Sequence, residues 1–245
     1  MIKAVFFDLD GTLRHNLPSG GEVFADHAVE LGLQASAEDR LRAARWEHFY
    51  WANSAELKAD RVTYAGQNGA FWNRYGQRQL VALGAHTLQA AELAPKMTDY
   101  MLHAYKPQSV VPSDAMRVLP VLKEGGFKLA VISNRDKPYQ EEMEALGLAP
   151  FLAFSLAGGE INAFKPEPEI FGHACRRLQV DMGEAAYVGD NYFADVVGAR
   201  AAGLTPVLYD PRRIFPDPGC AIIRSFEELP AVLHASPRMT SATLI

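Results

Sequence analysis

The chain has 245 residues and a formal net charge of −5, from 24 basic and 29 acidic side chains. Hydrophobic residues make up 49% and charged residues 22% of the chain, a globular composition that excludes wholesale disorder. Since the balance is acidic and no basic run occurs, we expect no nucleic-acid partner and no membrane-surface binding.

Short apolar runs recur along the chain, and each ends in polar or small residues. They lie at residues 4–7, 129–132, 151–154, 185–188 and 206–209, with a weaker run at 221–223. Because these runs lack polar alternation, they predict strands of a parallel sheet that is covered on both faces. Amphipathic stretches of helical length occur at 113–125, 138–146, 167–180, 192–202 and 226–234. The alternation predicts a Rossmann-like, doubly wound α/β domain.

One interval departs from this alternation. Between Leu13 and about Pro112 no convincing strand occurs, and helical patterns fit residues 20–32, 36–51, 63–83 and 86–105. A structureless loop of that length is uncommon in a compact domain, so we expect an inserted all-helical cap domain after the first strand. The predicted boundaries are a core of residues 1–14 and 110–235, a cap of 15–109 and a frayed tail of 236–245.

Targeting signals and disulfides are not expected. The apolar start of the chain is interrupted by Asp8 and Asp10 before it reaches the length of a signal-peptide core. No apolar run approaches the roughly 18 residues that span a bilayer. The two cysteines, Cys175 and Cys220, are too few for a disulfide framework and lack metal-ligand spacing. We therefore expect a soluble cytoplasmic protein.

Polar residues follow the predicted strands at the points where the strands end. The first run leads into Asp8–Thr12, the second into Ser133-Asn134, and the fourth into Gly189-Asp190. Because parallel strands end at one edge of the sheet, these side chains should converge in one crevice, and Lys165, just before Pro166, can reach it. Carboxylates, a hydroxyl and an ammonium group in one crevice indicate a site for Mg²⁺ and phosphate.

These segments, with Asp195 five positions after Asp190, resemble the four motifs of the haloacid-dehalogenase-like (HAD) hydrolase superfamily. The resemblance covers the α/β portion, from residues 1–14 and again from about 110 to 235. It implies that Asp8 is a nucleophile that forms an aspartyl-phosphate, and that Asp10 is the general acid and base. It further implies that Ser133 and the backbone at Asn134 hold phosphoryl oxygens.

The same resemblance implies the roles of the remaining charged residues. Lys165 would neutralise charge between nucleophile and phosphate. Asp8, the backbone carbonyl of Asp10, and Asp190 would hold Mg²⁺. Asp195 would orient Lys165 or a metal-bound water, although a plain position on the helix surface is the alternative.

Several neighbouring positions support or modify the motifs. Gly11 allows the tight turn after the first strand, and Thr12 is expected to secure that turn by hydrogen bonds. Asn162 stands where the family often has Gly, and Asn also tolerates positive φ. After Leu13, Arg14 and His15 replace the acidic or Ser-containing segment common in the family, so the substrate is left open. Arg14 could meet a substrate anion or only water.

The expected reaction is Mg²⁺-dependent hydrolysis of a small phosphorylated metabolite under the helical cap. Dehalogenases of the family use the first Asp alone, so the presence of Asp10 favours phosphoryl transfer. A phosphosugar mutase and a non-catalytic phosphate- or partner-binding module remain alternatives. The run Trp46–Trp51 either lines a substrate pocket or forms a helix core through Trp46, Phe49 and Tyr50, and the spacing favours the core. The sequence does not indicate the oligomeric state.

Overall fold

The computed structural model describes residues 1–235 and divides into two compact units. The sheet unit comprises Met1–Arg14 and the residues from Val111 onward, and the helical unit comprises His15–Val110. The predicted tail, 236–245, lies outside the described residues. Among the described residues, none of the helices is both long and apolar enough to cross a bilayer.

The described residues form six strands in the sheet unit and two in the helical unit. The strands are β1 Ala4–Phe7, β2 His15–Leu17, β3 Gln108–Val110, β4 Lys128–Ser133, β5 Phe154–Ala157, β6 Ala185–Gly189, β7 Thr205–Tyr209 and β8 Ala221–Ile223. The six-stranded sheet is parallel, in the order β5-β4-β1-β6-β7-β8. In it β1 pairs with β4 on one side and β6 on the other, with Phe7 opposite Val131 and Val188.

The helices of both units complete the architecture. They are α1 Gly20–Glu30, α2 Ala37–Trp51, α3 Ala55–Thr63, α4 Asn68–Ala82, α5 Thr87–His103, α6 Ser113–Glu124, α7 Gln140–Ala145, α8 Gly158–Ile161, α9 Pro168–Leu178, α10 Val197–Ala201 and α11 Leu229–Ala235. A π-helical turn, Tyr192–Val196, leads into α10.

The sheet is covered on both faces, as its apolar strands require. Val5 and Phe7 of β1 pack with residues of α6, α7 and α11 on one face. Ala4 and Phe6 pack on the opposite face with residues of α9 and α10, including the buried Cys175. This alternation of side chains along one strand places helices on both faces. The predicted Rossmann-like, doubly wound α/β class is confirmed.

The helical unit has its own cores. One joins α1, α2, α4 and α5 through residues such as Phe24, Leu80 and Met97. A second is aromatic and centres on Tyr50 and Tyr75, with Trp46 and Trp51 packed against them. Phe49, expected in this stripe, is 41% exposed, whereas the adjacent Tyr50 is fully buried. The core interpretation therefore holds for Trp46 and Tyr50 and is wrong for Phe49.

Three predicted elements differ from the observed ones. The helix expected at 63–83 begins only at Asn68, because Gly66 adopts a positive φ of 73° between α3 and α4, and α3 itself was not predicted. The strand expected at 151–154 begins only at Phe154, since Ala149–Phe151 forms a 3₁₀ turn. The interval expected to lack strands contains β2 and β3, which form a two-stranded antiparallel ribbon.

Candidate active site

Asp8 lies directly beyond β1, at the carboxyl edge of the sheet. Its backbone N–H donates to Val188 O at 2.9 Å, which continues the pairing of β1 with β6. The side chain is buried and its Oδ1 accepts a hydrogen bond from Lys165 Nζ at 2.5 Å. The nucleophile candidate is thus fixed by sheet pairing on its backbone and by an ammonium group on its carboxylate.

Lys165 is buried and donates to three side chains. Its Nζ lies 2.5 Å from Asp8 Oδ1, 2.7 Å from Asp195 Oδ1 and 2.8 Å from the hydroxyl of Tyr187. Burial lowers the pKa of Lys165, but Asp195 and Asp8 outweigh that effect and hold the pKa above its usual value. The side chain therefore carries its positive charge at neutral pH.

The backbone of Lys165 is held by the side chain of Asn134, which follows β4. Asn134 Nδ2 donates to Lys165 O at 2.8 Å, and Lys165 N donates to Asn134 Oδ1 at 2.6 Å. Asn162, three residues before Lys165, adopts the left-handed conformation with φ 50°, as its place in the motif predicts. The side-chain amide of Asn134 thus fixes the lysine loop, a contact that the sequence did not reveal.

Asp195 lies in the π-helical turn and is buried, so the helix-surface alternative for it is wrong. Its Oδ1 accepts from Lys165, and its Oδ2 accepts from Asn191 N at 2.9 Å. A Cβ at Gly189 would stand 2.2 Å from Asp195 Oδ2, so the glycine at the end of β6 is required for this approach. Both carboxylate oxygens of Asp195 are engaged by protein donors.

Asp190 follows β6 and interacts with the first motif. Thr12 Oγ1 donates to Asp190 Oδ1 at 3.1 Å and accepts from Asp190 N at 3.0 Å. Gly11 has a φ of 92°, and a Cβ there would stand 2.3 Å from Asp190 Oδ2. The Thr12 hydroxyl therefore joins two motifs, whereas the sequence indicated only support of its own turn.

Negative charge exceeds positive charge in this buried cluster. Carboxylate oxygens of Asp8, Asp190 and Asp195 lie within 4.8 Å of one another, with Lys165 as the cation hydrogen-bonded to two of them. Burial raises the pKa of Asp8 to about 7, Lys165 opposes this, and Asp195 adds to it. Burial, followed by Asp8 and Asp195, also raises the pKa of Asp190 well above its usual value.

A divalent cation fits this cluster on charge and donor chemistry. When all are ionised, three carboxylates and one ammonium leave an excess of two negative charges, which a divalent cation would balance. The oxygen donors suit Mg²⁺, a hard ion that prefers carboxylates. Because both oxygens of Asp195 bind protein donors, Asp8 and Asp190 are the carboxylates better suited to it.

Asp10 lies outside the buried cluster and belongs to a group of four charged side chains. Its carboxylate accepts hydrogen bonds from Arg135 and Arg14, and both arginines also pair with Glu142. Burial lowers the pKa of Arg135, but its bonds to Asp10 and Glu142 raise the pKa above its usual value. Arg14 thus contacts carboxylates of its own unit, a partner that the sequence interpretation did not include.

The structure brings most of the predicted residues to one edge of the sheet. Ser133 is buried at the end of β4, beside β1, while Asp10 lies in the separate charged group. Sequence reasoning missed Tyr187, Arg135 and Glu142. The signals in the sequence were too weak to identify them: Tyr187 is a hydroxyl in an otherwise apolar strand, and Arg135 directly follows a motif.

A family model described as haloacid dehalogenase-like hydrolase matches residues 2–203, which is most of the chain. The chain belongs to this family. Over 215 residues it is 32% identical to a ribulose-1,5-bisphosphate 5-phosphatase of Halopiger xanaduensis, covering 86% of each chain. It is also 30% identical over 207 residues to (S)-2-haloacid dehalogenase 4A of Burkholderia cepacia, covering 84% of this chain and 82% of the relative.

Solved structures show the same fold. A predicted phosphoglycolate phosphatase from Haemophilus somnus superposes with a TM-score of 0.58 at 20% identity, covering 94% of this chain and 97% of that one. The resemblance inferred from the motifs is confirmed, and the protein is a HAD-like hydrolase. Its relatives include both phosphatases and dehalogenases.

Proposed function

We propose that this HAD-like hydrolase is a Mg²⁺-dependent phosphatase that acts on a small phosphorylated metabolite. The observation that carries the proposal is the pair of aspartates at positions 8 and 10, one beside Lys165 and the other held by two arginines. Dehalogenases of the family use only the first aspartate, so a second, separately held carboxylate supports phosphoryl transfer.

Different residues of the chain have separate roles in the proposed reaction. Asp8 attacks phosphorus through a carboxylate oxygen while Asp10 gives a proton to the departing oxygen of the substrate. Lys165, fixed by Asn134 and Asp195, offsets negative charge where the phosphoryl group meets Asp8. Ser133 is proposed to hold a phosphoryl oxygen.

The proposed Mg²⁺ would be held by Asp8, Asp190 and the backbone carbonyl of Asp10. When bound, the ion would neutralise charge on the phosphoryl oxygens, which is the main demand of such transfers. Asp195 supports the site through Lys165, since both its oxygens bind protein donors.

The test is hydrolysis of p-nitrophenyl phosphate and a panel of small phosphorylated metabolites, sugar bisphosphates included, with Mg²⁺ and with a chelator. Turnover that needs Mg²⁺ and disappears in Asp8→Asn is expected. The same preparation is offered 2-chloropropionate, and chloride release without phosphatase activity would identify a dehalogenase instead.

Two further outcomes separate the remaining alternatives. Interconversion of hexose phosphates without net phosphate release would indicate a mutase. Binding of phosphate and Mg²⁺ with no turnover of any substrate, and indifference to Asp10→Asn, would indicate a binding module. A vanadate complex should place the vanadium at Asp8, and density elsewhere would contradict the nucleophile assignment.

A further inference from the structure

The carboxylate of Asp10 is bound by two guanidinium groups. Arg135 donates through Nε to Oδ2 and through Nη2 to Oδ1, both at 2.8 Å, which is the bidentate geometry of a planar fork. Arg14 Nη1 adds a third hydrogen bond to Oδ1 at 3.0 Å. Two parallel bonds fix the carboxylate against rotation, which a single bond cannot do.

Arg135 is itself held from two other directions. Glu142 accepts hydrogen bonds from Nη1 and, at 3.3 Å, from Nη2. The guanidinium carbon lies 5.2 Å from the ring centroid of Tyr139, whose buried hydroxyl donates to Leu156 O at 3.0 Å. The guanidinium therefore packs over a ring that is anchored in the protein core.

The four side chains form a closed ring of ion pairs, because Arg14 Nε also contacts Glu142 Oε1 at 3.2 Å. Two positive and two negative side chains alternate and leave no net charge. The group therefore balances its own charge when Asp10 is ionised. The side chains of this group are partly exposed, so the ion pairs add little to the free energy of unfolding. Their effect is to orient the Asp10 carboxylate.

The two oxygens of Asp10 are not equivalent. Oδ1 accepts from both arginines, which occupies its two lone pairs, whereas among the described residues Oδ2 accepts one hydrogen bond, from Arg135. Oδ2 is thus the less occupied of the two carboxylate oxygens.

We infer that Arg135 is a positioning residue that orients the Asp10 carboxyl group so that its Oδ2 exchanges the proton with the substrate, with Glu142 and Arg14 holding the arginine fork in place. The inference rests on the proposed phosphatase function. As the bond from Asp8 to phosphorus forms, the bond from phosphorus to the leaving oxygen breaks, and that oxygen takes the proton from Oδ2. The alcohol departs neutral and Asp10 is left as a carboxylate.

The test compares two substrates with different leaving groups. An alkyl phosphate needs a proton at its leaving oxygen, whereas nitrophenolate departs without one. In Arg135→Gln we expect kcat/KM for the alkyl phosphate to fall by about tenfold or more, on the scale of misplaced proton transfer, and that for p-nitrophenyl phosphate to change little. The Asp10→Asn variant lacks the proposed proton donor and should therefore show the largest selective loss.

Two companion variants separate geometry from charge. Arg135→Lys keeps the positive charge but lacks the fork, so it should lose activity as Arg135→Gln does, while Glu142→Gln should show a smaller loss of the same selectivity. Arg117→Gln is the matched control, since Arg117 makes an exposed bond through Nε and Nη2 to Glu227 and should leave both rates unchanged. Thermal unfolding by circular dichroism verifies that each variant is folded.

A crystal structure of Arg135→Gln supplies a readout that does not need turnover. We expect the Asp10 carboxylate to be rotated or spread over several orientations there, and to hold a single orientation in the unchanged chain. An unmoved Asp10, an equal loss for both substrates, full rescue by Arg135→Lys, or a gain in activity would each overturn the inference. If the unchanged chain hydrolyses no phosphate ester, the proposed function fails, and the crystal structure still decides the orientation.

Discussion

Lys165 has three partners, and they differ in what they contribute to the site. Asp8 and Asp195 contribute charge, whereas the Tyr187 hydroxyl contributes a neutral hydrogen bond and is fixed by donating to Ile132 O at 2.9 Å. The Tyr187 hydroxyl therefore restricts the direction of the ammonium group without altering the charge of the cluster.

Removing that hydroxyl should cost stability. Tyr187→Phe leaves the buried Ile132 carbonyl and one Lys165 N–H without a partner, so we expect the free energy of unfolding to fall by about 1–3 kcal/mol. Urea unfolding followed by circular dichroism measures this change. Tyr64→Phe, at the end of α3 in the helical unit, is the control and should change the free energy by less than about 0.5 kcal/mol.

The residues that the sequence revealed lie in motifs. Asp8 and Asp190 could be identified because a parallel sheet gathers strand ends at one edge, and Lys165 because the segment Lys165-Pro166 resembles a motif of the family. Tyr187 could not, because a tyrosine inside a buried strand looks like one more apolar residue. The Arg135–Glu142 pair could not be identified either, since ion pairs depend on a loop geometry that spacing alone does not determine.

At the scale of elements, α2 begins with a reciprocal capping arrangement at its N-terminus. Ser36 Oγ accepts from Asp39 N at 3.1 Å, and the Asp39 carboxylate accepts from Ser36 N at 2.9 Å. The sequence predicted Ser36 as the start of this helix, and the prediction is confirmed. Both bonds satisfy backbone donors that a helix terminus otherwise leaves open.

Ser36→Ala should lower the free energy of unfolding by about 1 kcal/mol, the usual effect of losing such a cap. All three tryptophans, Trp46, Trp51 and Trp72, lie in the helical unit, so urea unfolding followed by tryptophan fluorescence reports on this unit alone. Ser36→Thr retains the hydroxyl, which accepts from Asp39 N and donates to the Asp39 carboxylate, and should restore most of the loss. No change in the alanine variant would contradict the capping role.

The capping arrangement also predicts a pH dependence. Hydrogen bonds from Ser36, and then the pairing with Arg42, lower the pKa of Asp39 to about 2 from an ordinary 3.8. A carboxyl group whose pKa is lower in the folded state stabilises the fold above pH 4, and this contribution is lost as the pH falls toward 2. The stability difference between the unchanged chain and Asp39→Asn should therefore shrink over that interval.

Helices α3 and α4 are joined by a buried ion pair. Asp60 is buried, and it accepts hydrogen bonds from Arg78 Nε at 2.9 Å and from the Tyr50 hydroxyl at 3.1 Å. Arg78 is partly exposed, so the full cost of breaking a buried pair does not apply.

Arg78→Met should therefore lower the free energy of unfolding by about 2 kcal/mol, because it leaves a buried carboxylate without its main cation. The matched control is Arg74→Met on the same helix, whose Nε is 3.8 Å from Asp60 and should matter less. Fluorescence-monitored urea unfolding measures both. Equal losses in the two variants would show that charge near Asp60, not the hydrogen-bonded pair, is what stabilises the unit.

The boundaries of helices and strands were harder to predict from the sequence than their type. The apolar stretch from Phe151 to Ala157 offers no polar residue to mark where a strand begins, so β5 was placed three residues early. The break at Gly66 was visible in principle, but a single glycine inside a helical pattern is often tolerated. Strands β2 and β3 have three residues each, too few for a period to show.

At the scale of the whole molecule, the charge imbalance at the sheet edge predicts a stabilising cation. A ligand that binds only the folded chain stabilises it by about 2.7 kcal/mol at a hundred times its dissociation constant. Mg²⁺ should thus raise the midpoint of thermal unfolding by several degrees, and Asp190→Asn should remove most of the rise. Sodium chloride at equal ionic strength is the control, and an equal rise with it would point to general screening.

The overall α/β class could be predicted from the sequence because it depends on a property spread over the whole chain. That property is the alternation of apolar runs with amphipathic stretches. No single residue decides it, so errors at individual boundaries did not change the result. The site could be predicted for the opposite reason, since it depends on a few motif residues.

The pairing of β1 has a consequence for synthesis on the ribosome. This strand is made before its neighbours β4 and β6, which begin at Lys128 and Ala185, so it stays unpaired at least until β4 has been made. The helical unit is contiguous and can fold meanwhile. Nascent chains that end just before Lys128 should therefore give folded tryptophan fluorescence from the helical unit while the segment Ala4–Phe7 still binds chaperones that recognise exposed apolar segments.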